Sequence, residues 1–198
     1  MKKTFRTTLL SFTLLSSVFV SAENNWYTGA LYSKQDISIT GRDFNTAGLL
    51  VGYTYNQYLS LEARLAKGTS GYSSFYGTPE SPYGRYKEDI NVQTSALVKL
   101  SYPIIDDIKL YGLIGYSRSE LEIKGTGQII DSEGNITGEF PSKHNISENG
   151  LSYGVGISCQ VNDSVDLFID YQVLPDFEPM AAFSRSWKSA SLGINYHF

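Results

Sequence analysis

The sequence has 198 residues, with 16 lysines and arginines against 20 aspartates and glutamates and a formal charge of −4. This acidic balance argues against a nucleic-acid-binding surface, and a single cysteine, Cys159, excludes a disulfide-stapled secreted scaffold. The 15 tyrosines, 10 phenylalanines and 18 glycines favour strands and tight packing over helices.

Residues 1–22 have the three parts of a signal peptide: basic Lys2, Lys3 and Arg6, an apolar run from Leu9 to Val20, and small Ser21 and Ala22 before Glu23. A membrane anchor is the alternative. It is disfavoured because the run is shorter than the roughly 18 to 20 residues of a spanning helix and is interrupted by Ser11, Thr13, Ser16 and Ser17. No cysteine follows the run to carry a lipid. The mature domain is expected over 23–198, with 13 basic against 20 acidic residues once Lys2, Lys3 and Arg6 are removed, a charge of about −7.

Along that domain, segments recur in which every second residue is apolar and the intervening ones are small or polar. They cover residues 47–55, 59–66, 90–102, 151–161, 165–173 and 189–198. Residues 26–32 and 108–117 are strands by composition but ambiguous in facing. The total is about eight, each near the ten or so residues of a tilted transmembrane strand. Short links at 56–58, 103–107 and 162–164 alternate with long polar ones at 33–45, 67–89, 118–147 and 174–185. This asymmetry predicts an all-β fold: an eight-stranded antiparallel transmembrane β-barrel with short periplasmic turns and long extracellular loops. Aromatic residues fall where two headgroup-level girdles would need them. Tyr53, Tyr55, Tyr102, Tyr196 and Phe198 belong to the periplasmic side, and Tyr116, Tyr153 and Tyr171 to the outer one.

Candidate chemistry is sparse. His144, Ser147 and Glu148 lie together, but a strand puts i and i+2 on one face, so His144 and Ser147 diverge and a nucleophile–base pair is not expected. His197 reads as an ordinary polar strand residue at the periplasmic rim. With two histidines and no Asp-x-Asp-x-Asp pattern, no metal or cofactor site is assigned. Glu62, Arg64, Lys99, Asp166 and Asp170 fall on the inward parity of their strands, with Glu62 and Lys99 expected as neighbours. They form either a gated ion path or a paired polar core. The second is favoured, because side chains nearly fill an eight-stranded interior. A soluble lipocalin-like barrel would instead have an apolar lumen. Outside, 67–89 carries Tyr72, Phe75, Tyr76, Tyr83 and Tyr86 among small residues, a composition shared by adaptable binding loops. Asp131-Ser132-Glu133-Gly134-Asn135 reads as a hairpin tip. A cover against antibodies and phage is the alternative role for both loops.

The apolar parity of Leu192, Ile194, Tyr196 and Phe198 resembles the terminal assembly signal of bacterial outer-membrane barrels. With Asn25-Trp26-Tyr27-Thr28-Gly29-Ala30, Val51-Gly52-Tyr53 and Leu59-Ser60-Leu61-Glu62-Ala63-Arg64, the chain resembles the opacity-type "porin family" of small OmpA/OmpX-like barrel domains. That resemblance implies a place in the bacterial outer membrane, contact with its lipid and lipopolysaccharide, and handling by the barrel assembly machinery. It also implies host or cell-surface ligands for the loops and no enzyme chemistry. The expected function is structural or adhesin-like, with a narrow channel for ions or small solutes and then a lipid A-modifying enzyme as alternatives.

Overall fold

The structure is a computed structural model that describes residues 25–38, 41–78, 81–133, 135–180 and 183–198. The segment expected to be a signal peptide, 1–22, lies outside these residues. Every regular element among them is a strand: β1 (Trp26–Asp36), β2 (Asp43–Asn56), β3 (Leu59–Ser70), β4 (Tyr72–Thr78), β5 (Ser81–Ile105), β6 (Ile108–Ile130), β7 (Ile136–Asn162), β8 (Val165–Met180) and β9 (Phe183–His197).

All pairings are antiparallel, and β1 pairs with β9 while β3 pairs with β5, so the sheet closes on itself. β4 pairs only with the upper part of β5. It continues the stave begun by β3 after a break at Gly71, where a Cβ would lie 2.0 Å from the Glu88 carbonyl oxygen. The nine segments therefore make the eight-stranded barrel expected from the alternation. Within the barrel, closure removes the unpaired edges that an open sheet would expose.

Asparagines organise two of the short turns at one end. Asn56 Oδ1 accepts from the amides of Tyr58 (2.9 Å) and Leu59 (3.0 Å), and Asn162 Oδ1 accepts from Ser164 N (2.9 Å).

The barrel is apolar outside and holds its charged groups inside, beside a smaller cluster that includes Tyr27, Leu31, Leu50 and Phe168. Leu49, Leu151, Val155 and Leu192 are each more than 60% exposed, whereas Glu62, Arg64, Lys99 and Asp170 are buried. A water-soluble monomer rarely tolerates so large a contiguous apolar surface; surrounded by lipid, it is the favourable side. The two ambiguous strands resolve by the same rule. Trp26 and Tyr32 face out while Tyr27, Leu31, Ser33 and Gln35 face in; Leu110, Ile114 and Tyr116 face out while Tyr111, Leu113 and Ser117 face in.

At the other end most residues expected as loop continue as strand. β6 and β7 pair without a register shift from Ile108 opposite Cys159 to Ile129 opposite Gly138, and the hairpin closes at 131–135. There Asp131 Oδ1 accepts from the amides of Glu133 (2.9 Å) and Asn135 (2.8 Å), so the expected tip is where the composition put it. With β4 and the upper part of β5, these strands form a four-stranded sheet standing above the barrel. The 13 or so residues of β6 beyond the outer tyrosines extend about 40 Å along the strand.

Candidate functional site

Two places carry polar chemistry: the lumen and the outer sheet. In the lumen, the two-residue period of β3 sends Glu62 and Arg64 inward together. Arg64 bridges two carboxylates, with Nε 2.5 Å from Glu62 Oε1 and Nη2 2.7 Å from Asp170 Oδ2. Tyr27 donates from its hydroxyl to Glu62 Oε2 (2.8 Å), Tyr111 donates to Asp170 Oδ2 (3.3 Å), and the guanidinium lies 5.6 Å from the Phe168 ring centre. These rings fit because the wall is notched. A Cβ at Gly52, Gly156 or Gly193 would meet the Tyr27, Tyr111 or Phe168 ring at 2.0, 2.4 or 2.3 Å respectively.

Lys99 is a cross-strand neighbour of Glu62, as expected, but not directly opposite it. It stands opposite Ser60 while Glu62 stands opposite Leu97, so the two are diagonal neighbours rather than a bonded pair. The ammonium lies over the Tyr111 ring at 4.2 Å and the Tyr27 ring at 5.9 Å, a cation–π setting. Asp166 is also separate: its Oδ2 is 2.8 Å from His197 Nε2, at the periplasmic rim. The five inward residues thus divide into the Glu62–Arg64–Asp170 bridge, a lysine over aromatic rings, and a rim pair.

Above the charges lies a layer of amides and hydroxyls. Gln35 donates to Gln93 Oε1 (2.8 Å), Gln93 donates to Ser119 Oγ (2.7 Å), Trp187 Nε1 donates to Gln35 Oε1 (2.7 Å), and Ser117 donates to Ser95 (2.8 Å). Above that, Ile37, Phe44, Ile90, Leu121, Leu174, Phe177 and Trp187 form an apolar cluster, all at most 3% exposed. It closes the outer mouth. Arg42 caps it from the β1–β2 connection, 2.9 Å from Glu88 Oε1 and over the Tyr72 ring at 5.1 Å. Sequence reasoning missed this cap. Its one local signal is the alternation of Leu121 and Ile123 with Glu120, Glu122 and Lys124.

On the outer sheet, Glu120 Oε1 accepts from Asn91 (2.8 Å) and Asn145 (2.9 Å). Glu122 takes ion pairs from both Lys124 and Lys143. Hydrogen bonds from those two ammoniums hold its carboxyl down to about 2. Phe75, Ile129, Ile136 and Phe140 are at least half exposed. β7 runs straight through His144 and Ser147, so they point to opposite faces. Leu192, Ile194, Tyr196 and Phe198 are all on the outward, lipid-facing side.

The profile of the family described as outer membrane protein beta-barrel domain matches residues 7–198. Outer membrane protein A of Serratia marcescens is 28% identical over 196 residues, covering 89% of this chain and 50% of its own length. Outer membrane protein A of Yersinia pseudotuberculosis is 31% identical over 139 residues, covering 60% of this chain and 35% of its own. The chain spans at most about half the length of these curated relatives. Among solved structures, the N-terminal β-barrel domain of Pseudomonas aeruginosa OprF aligns with a TM-score of 0.53 and 11% identity, over 88% of this chain and 98% of that one. The attachment invasion locus protein Ail of Yersinia pestis, in complex with the heparin analogue sucrose octasulfate, aligns with a TM-score of 0.51 and 14% identity over 87% and 96%. Neisserial surface protein A aligns at 0.51 and 16% over 88% and 97%. These structures share the fold.

Proposed function

The chain belongs to the family of outer-membrane-protein β-barrel domains, and on that premise we propose that it is a structural and surface-interaction protein, adhesin-like in action, whose working part is the sheet β4–β7. Its location is the bacterial outer membrane. The observation that carries the proposal is the sheet itself. A continuous ladder through β5, β6 and β7 projects beyond the tyrosine ring and holds Phe75, Ile129, Ile136 and Phe140 half exposed or more. Ordering these side chains in advance lowers the entropic cost of engaging a partner. A member of the same fold, Ail, was solved with a sulfated saccharide analogue, which supports glycan-coated surfaces as one class of target.

The test replaces 120–147 by a short turn and measures attachment of expressing cells to host cells and matrix. Attachment should fall to background while the shortened protein still migrates faster on gels unheated than boiled. Undiminished attachment by that variant would remove the proposal.

A narrow channel ranks second, supported by the charged lumen but opposed by the apolar cluster over its mouth, since a dry apolar constriction resists ion passage. Planar-bilayer recording decides it: conductance should stay near zero. A lipid-modifying activity ranks third, because His144 and Ser147 diverge.

A further inference from the structure

The outward side of β5, β6 and β7 carries a feature that surface attachment does not require. The register sets Lys87 opposite Lys124, and Lys124 opposite Lys143. Three ammoniums therefore stand side by side on adjacent strands, with Cβ atoms about 5 Å apart. Their side chains are 51, 56 and 58% exposed. Like charges directly opposite one another destabilise a sheet, so a row of three is costly unless something offsets it.

Carboxylates offset it from one side only. Asp89 and Glu122 face each other in the next outward row toward the membrane. Asp89 lies 2.5 Å from the Lys87 ammonium, and Glu122 pairs with Lys124 and Lys143. Two carboxylates thus serve three ammoniums. In the row on the far side, Arg85 stands opposite Thr126 and Thr126 opposite Pro141. The Arg85 guanidinium lies over the Phe75 ring at 5.2 Å and has no ion pair among the described residues. Glu139, opposite Gln128, is one outward position farther toward the tip. On an acidic chain, this face presents four cations whose open sides point away from the two carboxylates.

Position identifies what they would meet. The lysine row continues the parity that faces lipid lower on the strands, so it looks sideways over the surrounding leaflet and not over the barrel mouth. Just beyond the apolar band, the first outward residue is basic on four strands: Lys34 after Tyr32, Lys67 after Leu65, Arg118 after Tyr116, and Lys188 before Ala190. This collar marks the level of headgroup phosphates. From Arg118 to Lys124 is six residues, about 20 Å along the strand, which puts the lysine row at the height of the sugars attached to those headgroups.

We propose that Lys87, Lys124 and Lys143, with Arg85, bind phosphate groups on the saccharide portion of the lipopolysaccharide around the barrel. Each ammonium has three donors, and those not directed at Asp89 or Glu122 are free to meet phosphate oxygens. The contact would brace the projecting sheet against its own membrane, and it is independent of whether the sheet also attaches to another cell.

The test uses the folded protein in lipid nanodiscs. Affinity is measured for lipopolysaccharide with a phosphorylated core, for the same molecule with its core dephosphorylated, and for lipid A alone. Changing all three lysines to glutamine should weaken binding of the phosphorylated form by about tenfold or more and leave lipid A binding unchanged. Glu122→Gln, which releases two of the ammoniums, should strengthen binding of the phosphorylated form, a gain that a misfolded sheet cannot produce. The proposal fails if the triple variant binds like the wild type, or if the wild type does not distinguish the phosphorylated from the dephosphorylated core. It fails equally if a soluble sulfated oligosaccharide occupies the row in preference to the phosphorylated lipopolysaccharide, because the source would then be a free polyanion.

Discussion

Strand β6 passes through two solvents, and the outward faces of its lower and upper halves obey opposite rules. Up to Tyr116 the outward residues include Leu110, Ile114 and Tyr116, about half exposed, while Tyr111 and Leu113 point inward, followed just above by buried Ser117 and Ser119. A few residues later the outward positions are Glu120, Glu122 and Lys124, and the inward ones are Leu121, 1% exposed, and Ile123, packed against the same cluster. No register shift separates the halves in the β6–β7 ladder until Ile129. The backbone therefore does not mark the boundary; the solvent does. In lipid, apolar side chains face out, and the lumen takes the charged and polar ones together with a few rings and aliphatic chains. In water, the same pleat buries its apolar face under charged residues.

The interior follows from that change. Below the boundary, the lumen must satisfy polar groups against each other, which Arg64 does by bridging Glu62 and Asp170. Above it, apolar residues from four connections collapse into an ordinary hydrophobic core over the mouth.

The largest effect expected from breaking this arrangement is at Arg64. Arg64→Met strands two buried carboxylates and should cost about 3–5 kcal/mol in urea unfolding of the vesicle-embedded barrel. Adding Glu62→Gln and Asp170→Asn should restore much of it, because no unpaired charge remains. A single variant as stable as the wild type would mean the lumen is too wet for pairing to matter.

Trp187→Ala removes the largest ring of the cap and leaves Gln35 Oε1 with only the longer bond, 3.4 Å, from Gln93. A loss of about 3 kcal/mol is expected, localised to the cap. Amide hydrogen exchange should accelerate around 37–44 and 174–187 while the lower halves of β7 and β9 remain protected. Uniform acceleration around the barrel would show that cap and barrel are one cooperative unit.

The smallest effect is the pH response of the outer sheet. The Glu122 carboxyl is depressed to about 2 by Lys124 and Lys143. Its contribution is therefore fully present above the ordinary carboxylate range and lost as pH falls from that range through about 2. An NMR titration of the Glu122 carboxyl should show a midpoint near 2. A midpoint in the ordinary range would mean that the two lysines are mobile.

The same change of rule explains what could be read in the sequence. β3 and β7 to β9 are legible because their lumen positions, Phe168 apart, are polar or small. β1 and β6 are not, because Tyr27, Leu31, Tyr111 and Leu113 also make the inward parity apolar, with Tyr27 and Tyr111 set against glycines on neighbouring strands. The upper sheet does not show in the sequence because the hydrophobic parity inverts at the membrane boundary, so one continuous strand does not read as one pattern. Glu62 and Arg64 were visible as an i, i+2 pair. Asp170 shows its inward parity in the sequence, but not that it meets Arg64, 106 residues away, across the lumen. The lysine row was hidden by the β5 bulge between Ile90 and Val92. Counted up from Lys99, Lys87 has inward parity; the bulge turns it out.

The inversion itself is most directly tested by placing a lysine on the outward face at two heights. Gly112 lies near the middle of the apolar band on β6, where an added Cβ meets nothing closer than 4.0 Å. Ser147 is exposed on β7 above the boundary, opposite Glu120. Relative to alanine at the same position, Gly112→Lys should destabilise by about 2–4 kcal/mol, and Ser147→Lys should stay within about 0.5 kcal/mol. Equal costs at the two positions, whether both large or both negligible, would contradict a solvent boundary between them.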